Sequence, residues 1–185
     1  DTSLDGDVRV VRTWLIPRAN NSAVNRLIAF STFTGSSALT SLGIGRADVV
    51  IGTVPQPLSP LAAWLKSRLG GAAFLLEIRD LWPEGLLATG QASTDSVSYR
   101  FLDHVAGFLN KRADHVVAVT DAIRDHLVEQ RGVPDSRVDV VRAGVASEAF
   151  LSAVEPEESK RKWDAEGRFV VSYVGTHGNA HDLWS

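Results

Sequence analysis

The chain contains no cysteine and no methionine. Without thiols it can form neither a disulfide nor a thiolate metal site, so any metal would have to be held by His, Asp or Glu, and the absence fits a reducing compartment. Without methionine it does not carry its own initiating residue, and the expectation is a mature, trimmed or partial polypeptide. It also lacks a polybasic block. Its 19 basic and 22 acidic side chains leave a formal net charge of -3, which argues against a general electrostatic grip on nucleic acid. The opening DTSLDGDVRVV has neither the basic nor the apolar region of a signal peptide. No run approaches the roughly 20 apolar residues of a membrane span. The nearest candidate, residues 22–45, is interrupted by Asn25, Arg26 and many hydroxyls. It reads as a core-facing helix, with a membrane-surface role as the alternative. Neither the GxGxxG dinucleotide fingerprint nor the GxxxxGK[ST] phosphate loop occurs.

What is present is an α/β rhythm. At 185 residues and 44% hydrophobic composition, the chain is about one domain long and can bury a real core. Apolar runs rich in Val and Ile are expected as strands over 8–16, 48–53, 72–78, 115–120, 137–142 and 168–175. Most are continuous rather than alternating, which implies burial on both faces of a parallel sheet. Helices are expected between them, over 59–69 (starting at Ser59 and Pro60, ending at Gly70 and Gly71), 96–113 and 120–132. The charged segment 151–167 reads as a connector between two domains. The implied fold is a Rossmann-like, doubly wound parallel sheet followed by the first strand of a second such domain.

In open α/β sheets ligands bind outside the carboxyl ends of the strands, where loops converge and helix N-termini present free N–H groups. Those ends fall at Thr53 to Pro57, Arg79 to Glu84, Thr120 and Asp121, Arg142 to Gly144, and Gly175 to Gly178. The densest of them is EIRDLWPEG, residues 77–85, where Arg79, Asp80 and Glu84 follow directly on an apolar strand. Each also has a plain structural reading: Asp80 and Glu84 as caps of the turn with Arg79 as counter-ion, Trp82 as packing, Thr120 and Asp121 as a helix cap. His104, His115 and His126 read as structural or solvated. In GTHG, Gly175 and Gly178 permit close backbone approach to a ligand, and His177 between them can donate to a phosphate or sugar oxygen.

Taken together, DVVIGTVPQ, FLLEIRDLWPEG, KRADHVVAVTDAIRDHLVEQRGVP and FVVSYVGTHGNAHDL resemble the N-terminal half of family 4 retaining glycosyltransferases, whose GT-B architecture faces two Rossmann-like domains across a cleft. The closest likeness is to those that build bacterial surface polysaccharides. The resemblance covers nearly the whole chain. It implies that residues 1–150 form most of the acceptor-side domain, without its first strand, that 151–167 connect, and that 168–185 begin a nucleotide-sugar-binding domain. It further implies sugar transfer from a nucleoside diphosphate sugar to an acceptor hydroxyl, with Asp80 and Arg79 as catalytic residues. Gly175, Thr176, His177 and Gly178 would contact the donor, and Thr53, Glu84 and Thr120 the substrate. No cofactor and no obligatory metal are expected, since backbone N–H groups can stabilise the leaving diphosphate. The implied acceptor is a sugar or a lipid-linked glycan, and the implied location is the cytoplasm, with peripheral association at the inner face of the membrane as the alternative; nucleic acid is not an expected partner. Relatives usually carry Asn-Gly-Val-Asp at the domain boundary, where this chain has Ala143, Gly144, Val145 and Ala146, so the turn is kept but both polar side chains are lost. A non-catalytic nucleotide- or glycan-binding module, or another nucleotide-dependent α/β enzyme, remains the alternative. The 185 residues alone are expected to be inactive.

Overall fold

In a computed structural model of the chain, residues 2–17, 22–144, 147–148 and 156–175 are described. It divides into two compact units, Asp1–Arg142 and Ala143–Ser185. In the first, β3 (Val49–Val54), β4 (Ala73–Ile78), β5 (His115–Ala118) and β6 (Val138–Val140) form a parallel sheet in that order. They follow β1 (Thr2–Asp5) and β2 (Val8–Val11), which make a separate antiparallel pair. Helix α1 (Ala23–Leu42) precedes the parallel sheet. Its crossovers are α2 (Ser59–Gly70), then α3 (Glu84–Ala88) with α4 (Val97–Arg112), then α5 (Asp121–Glu129). Thus the α/β class and the parallel, Rossmann-like sheet implied by the rhythm of apolar runs are what the chain adopts.

Local chemistry sets the boundaries. Ser22, Ser96 and Thr120 each occupy an N-cap in extended conformation and accept from the backbone N–H of Asn25, Tyr99 and Ile123, satisfying a donor that a helix start leaves unpaired. Helix α2 has Pro60 in its first turn and stops at Gly71, which takes a left-handed φ of 70°.

Strands joined in consecutive order by right-handed crossovers receive all their helices on one face. Accordingly Val54, Phe74, Leu76, Ile78, Val116, Ala118 and Val138 are buried on that face, packed with Leu58, Val105, Leu109, Ile123 and Leu127. The expected burial on both faces is not what the described residues show. Val49 and Ile51, which point the other way, are 53% and 58% exposed. There Thr53 donates to Glu77 Oε2 at 2.8 Å and His115 Nε2 lies 2.8 Å from Asp139 Oδ2. A continuous apolar run therefore reflects, in β3 and β4, one buried face and one merely apolar face.

Two expected strands differ. The run 8–16 ends as a strand at Val11 and pairs antiparallel with Thr2–Asp5. The cause is a tight turn at Gly6 and Asp7, where Gly6 adopts φ 58° as such hairpin turns require. Residues 168–175 form no strand, and Phe169, Val171 and Val174 are exposed. A parallel strand needs a neighbouring ladder to satisfy its backbone, and none pairs with it among the described residues. In the same unit the charged segment before these residues holds α6 (Pro156–Lys162), with Lys160 bonded to Glu157 at 3.0 Å.

Helix α2 lies close against β3 at Gly52, where an added Cβ would lie 3.0 Å from Ala63 Cβ and from Pro60 Cα and Cβ. Because the Pro60 backbone cannot yield as a flexible side chain would, Gly52→Ala is expected to cost about 1–3 kcal/mol of unfolding free energy. Urea denaturation measures it; an unchanged midpoint would show that α2 can lift off β3 freely.

Candidate functional site

All strands of a parallel sheet end on the same edge, so the segments that follow them converge. The ladder runs one residue past each strand: Arg79 N–H donates to Val54 O at 3.3 Å, Val119 to Ile78 O at 3.3 Å and Val141 to Ala118 O at 2.9 Å. Arg79 with Asp80, Thr120 with Asp121, and Arg142 are thereby brought to one rim. Gln56 orders the loop after β3. Its Oε1 accepts from the backbone N–H groups of Leu58 (2.7 Å) and Ser59, and its Nε2 donates to Phe30 O at 3.0 Å.

The turn after β4 sorts its side chains by burial. Leu81 and Trp82 pack against the core, and Pro83, joined by a cis peptide bond to Trp82, is fully buried. Arg79 and Asp80 stand exposed, and among the described residues neither side chain makes a hydrogen bond or ion pair. Two opposite charges left unpaired side by side are available to a ligand.

Glu84 is placed differently. Its Oε1 accepts from His126 Nε2 at 2.9 Å, from Arg131 Nε at 2.9 Å and from Arg131 Nη2, while Arg131 Nη1 donates to Asp103. Burial works against the charge on Arg131, but the hydrogen bonds to Asp103 and Glu84 outweigh it and raise its pKa above the usual guanidinium value. Thr120 Oγ1 accepts from Ile123 N–H at 3.2 Å, and Thr53 Oγ1 is bonded to Glu77 on the open face. Arg142 pairs with Asp121 at the exposed edge. Gly175 is described, with a would-be Cβ 3.0 Å from the Tyr173 hydroxyl; Thr176, His177 and Gly178 lie outside the described residues.

Arg131 and Asn110 were given no role from sequence, and His126 was read there as structural or solvated. Arg131 and His126 are distant from Glu84 in the chain, and no local pattern announces their meeting. Asn110 sits on the buried side of α4, 5% exposed. It lines, with Asp80, Glu84, His126 and Arg131, a hollow of about 30 Å³, room for one water but not for a sugar. Its signal was an amide beside Leu109 on an apolar helix face. Trp82 also borders a larger apolar groove of about 470 Å³, walled by Leu27, Phe30, Leu86 and Phe101. Among the described residues no group of three His, Cys, Asp or Glu side chains is arranged to hold a metal ion. No described helix is long and apolar enough to cross a membrane.

Residues 2–144 match the model of the glycosyl transferase 4-like domain, and the chain belongs to that family. The matched stretch contains the whole strand-end rim from Thr53 to Arg142. Over 171 residues the chain is also 33% identical to a protein described as probable glycosyltransferase WbjE from Pseudomonas aeruginosa. That alignment takes in 90% of this chain and 42% of the relative, so the chain spans less than half of the relative's length.

Among the described residues the buried side-chain polar atoms without a hydrogen-bond partner are Thr34 Oγ1, on α1, and Trp64 Nε1, on α2. An unpaired buried hydroxyl destabilises, so Thr34→Val, which keeps the shape and removes the hydroxyl, is expected to leave unfolding free energy unchanged or raise it by about 1 kcal/mol. Differential scanning calorimetry measures it; a clear loss would show that the hydroxyl is engaged.

Proposed function

We propose that the full-length protein transfers a sugar from a nucleoside diphosphate sugar to an acceptor hydroxyl with retention at the anomeric carbon, in cell-surface glycan or polysaccharide synthesis. The described α/β unit is the acceptor side. One observation carries this reading: in a glycosyl transferase 4-like domain, Arg79 and Asp80 are delivered by β4 to the strand-end rim with both side chains exposed and free among the described residues. Asp80 orients or polarises the acceptor hydroxyl, and Arg79 holds Asp80 or contacts an acceptor phosphate. Thr53 and Thr120 contribute at the same edge. The donor diphosphate is received by Gly175, Thr176, His177 and Gly178, whose N–H groups stabilise the leaving group without an obligatory metal or other cofactor.

The apolar groove bordered by Trp82 supports a lipid-linked acceptor, with the protein in the cytoplasm at the inner face of the membrane. A binding module without turnover is the second reading, favoured by the loss of polar side chains at Ala143 and Ala146.

Asp80→Asn keeps the shape of the side chain and removes its charge. In the full-length protein it is expected to lower turnover about 10²-fold or more, with little change in melting temperature, since the carboxylate has no described partner. Release of nucleoside diphosphate from a panel of UDP-, GDP- and dTDP-hexoses measures it. Wild-type turnover in the variant would remove Asp80 from the mechanism.

A further inference from the structure

Glu84 opens α3, and a carboxylate at that place is commonly satisfied by backbone N–H groups or water. Here one oxygen, Oε1, takes donors from both His126 and Arg131, and Arg131 is held from its other end by Asp103. The four side chains come from α3, α4, α5 and the residue pair that follows α5. All but Asp103 keep less than a quarter of their surface exposed.

Between Glu84 and Asp80 the chain is Leu81, Trp82 and Pro83, each packed into the core. At the other end, Arg79 is fixed to Val54 by its backbone. The backbone around Asp80 is thus tied on both sides while its carboxylate is left free. A partly buried ionic network adds little net stability over well-packed apolar residues, whereas a reacting group gains from being held in one geometry.

We propose that Arg131 and His126, acting through Glu84, are positioning residues: they clamp the turn 79–84 so that Asp80 is presented to the acceptor hydroxyl in a single orientation. The part that concerns transfer rests on the function proposed above. The clamp itself is measurable without it.

The experiment uses full-length protein and the variants Glu84→Gln, Arg131→Met and Arg131→Lys. Amide exchange is followed across 77–86 and across β5. 5-Fluorotryptophan incorporation gives a resonance for Trp82, assigned with Trp82→Phe. Turnover is read with the same panel of UDP-, GDP- and dTDP-hexoses. The expected result for Arg131→Met and Glu84→Gln is faster exchange confined to the turn, a shifted Trp82 resonance, and a turnover loss of about tenfold or more. Arg131→Lys, which keeps the charge but loses the two-pronged contact, is expected to fall between. Unchanged exchange and resonance would overturn the clamp. So would exchange that rises equally in β5 and in step with lost thermal stability, because the network would then be structural only. A loosened turn with wild-type turnover would overturn the positioning role. If instead Asp80→Asn alone proves fully active while the turn loosens in the clamp variants, the transfer reading fails and the clamp stands.

Discussion

Everything described in the first unit depends on the parallel pairing of β4 with neighbours on both sides. It matches β3 residue for residue from Val49↔Ala73 to Val54↔Ile78, and β5 from Leu75↔His115 to Ile78↔Ala118. That register decides two things together. It turns Phe74, Leu76 and Ile78 toward the helices, which supplies the apolar burial that drives folding. It also forces three neighbouring chains to leave the sheet on one edge, whatever their own sequences prefer. The site is a by-product of directionality: parallel strands cannot send their ends apart.

Within that edge, burial separates the residues committed to the frame from those left free among the described residues. Leu81, Trp82 and Pro83 are committed to the core, Glu84 to Arg131 and His126, and Gln56 to the loop after β3. Arg79 and Asp80 are the charged pair at the centre of this turn left uncommitted among the described residues. A rigid frame around free charges is the arrangement expected where a ligand supplies the missing partners.

The central strands and helices were legible because their signals are local. The apolar runs around Phe74 and Val116 and the caps at Ser96, Thr120 and Gly71 each fix an element by chemistry within a few residues. Of the candidate site, the placement of Arg79 and Asp80 at the strand-end rim was legible, since it follows from strand direction alone. What was not legible is what depends on partners far along the chain. Nothing near Glu84 announces Arg131, 47 residues later. Continuous hydrophobicity in Val49 to Val54 could not say that one face would stay open. The run expected over 8–16 is a strand only to Val11 and pairs with Thr2–Asp5 rather than in the parallel sheet, because the turn at Gly6, not the run, decides its partner.

Helix α1 shows a different kind of dependence. Lys66 of α2 donates to Ile44 O and Gly45 O just beyond its end, at 2.7 and 3.1 Å, and Gln56 holds Phe30 O. In turn α1 carries the segment before it, with Ile16 N–H bonded to Thr32 Oγ1 at 3.2 Å and Thr13 Oγ1 to Ser37 Oγ at 3.1 Å. The described contacts thus tie α1 to α2, to the loop after β3 and, through Phe30, to the core, and tie residues 13–16 to α1. Cooperative units separate along such lines. Residues 13–16, whose described hydrogen bonds run to α1 and not to the sheet, are therefore expected to open more readily than the sheet does.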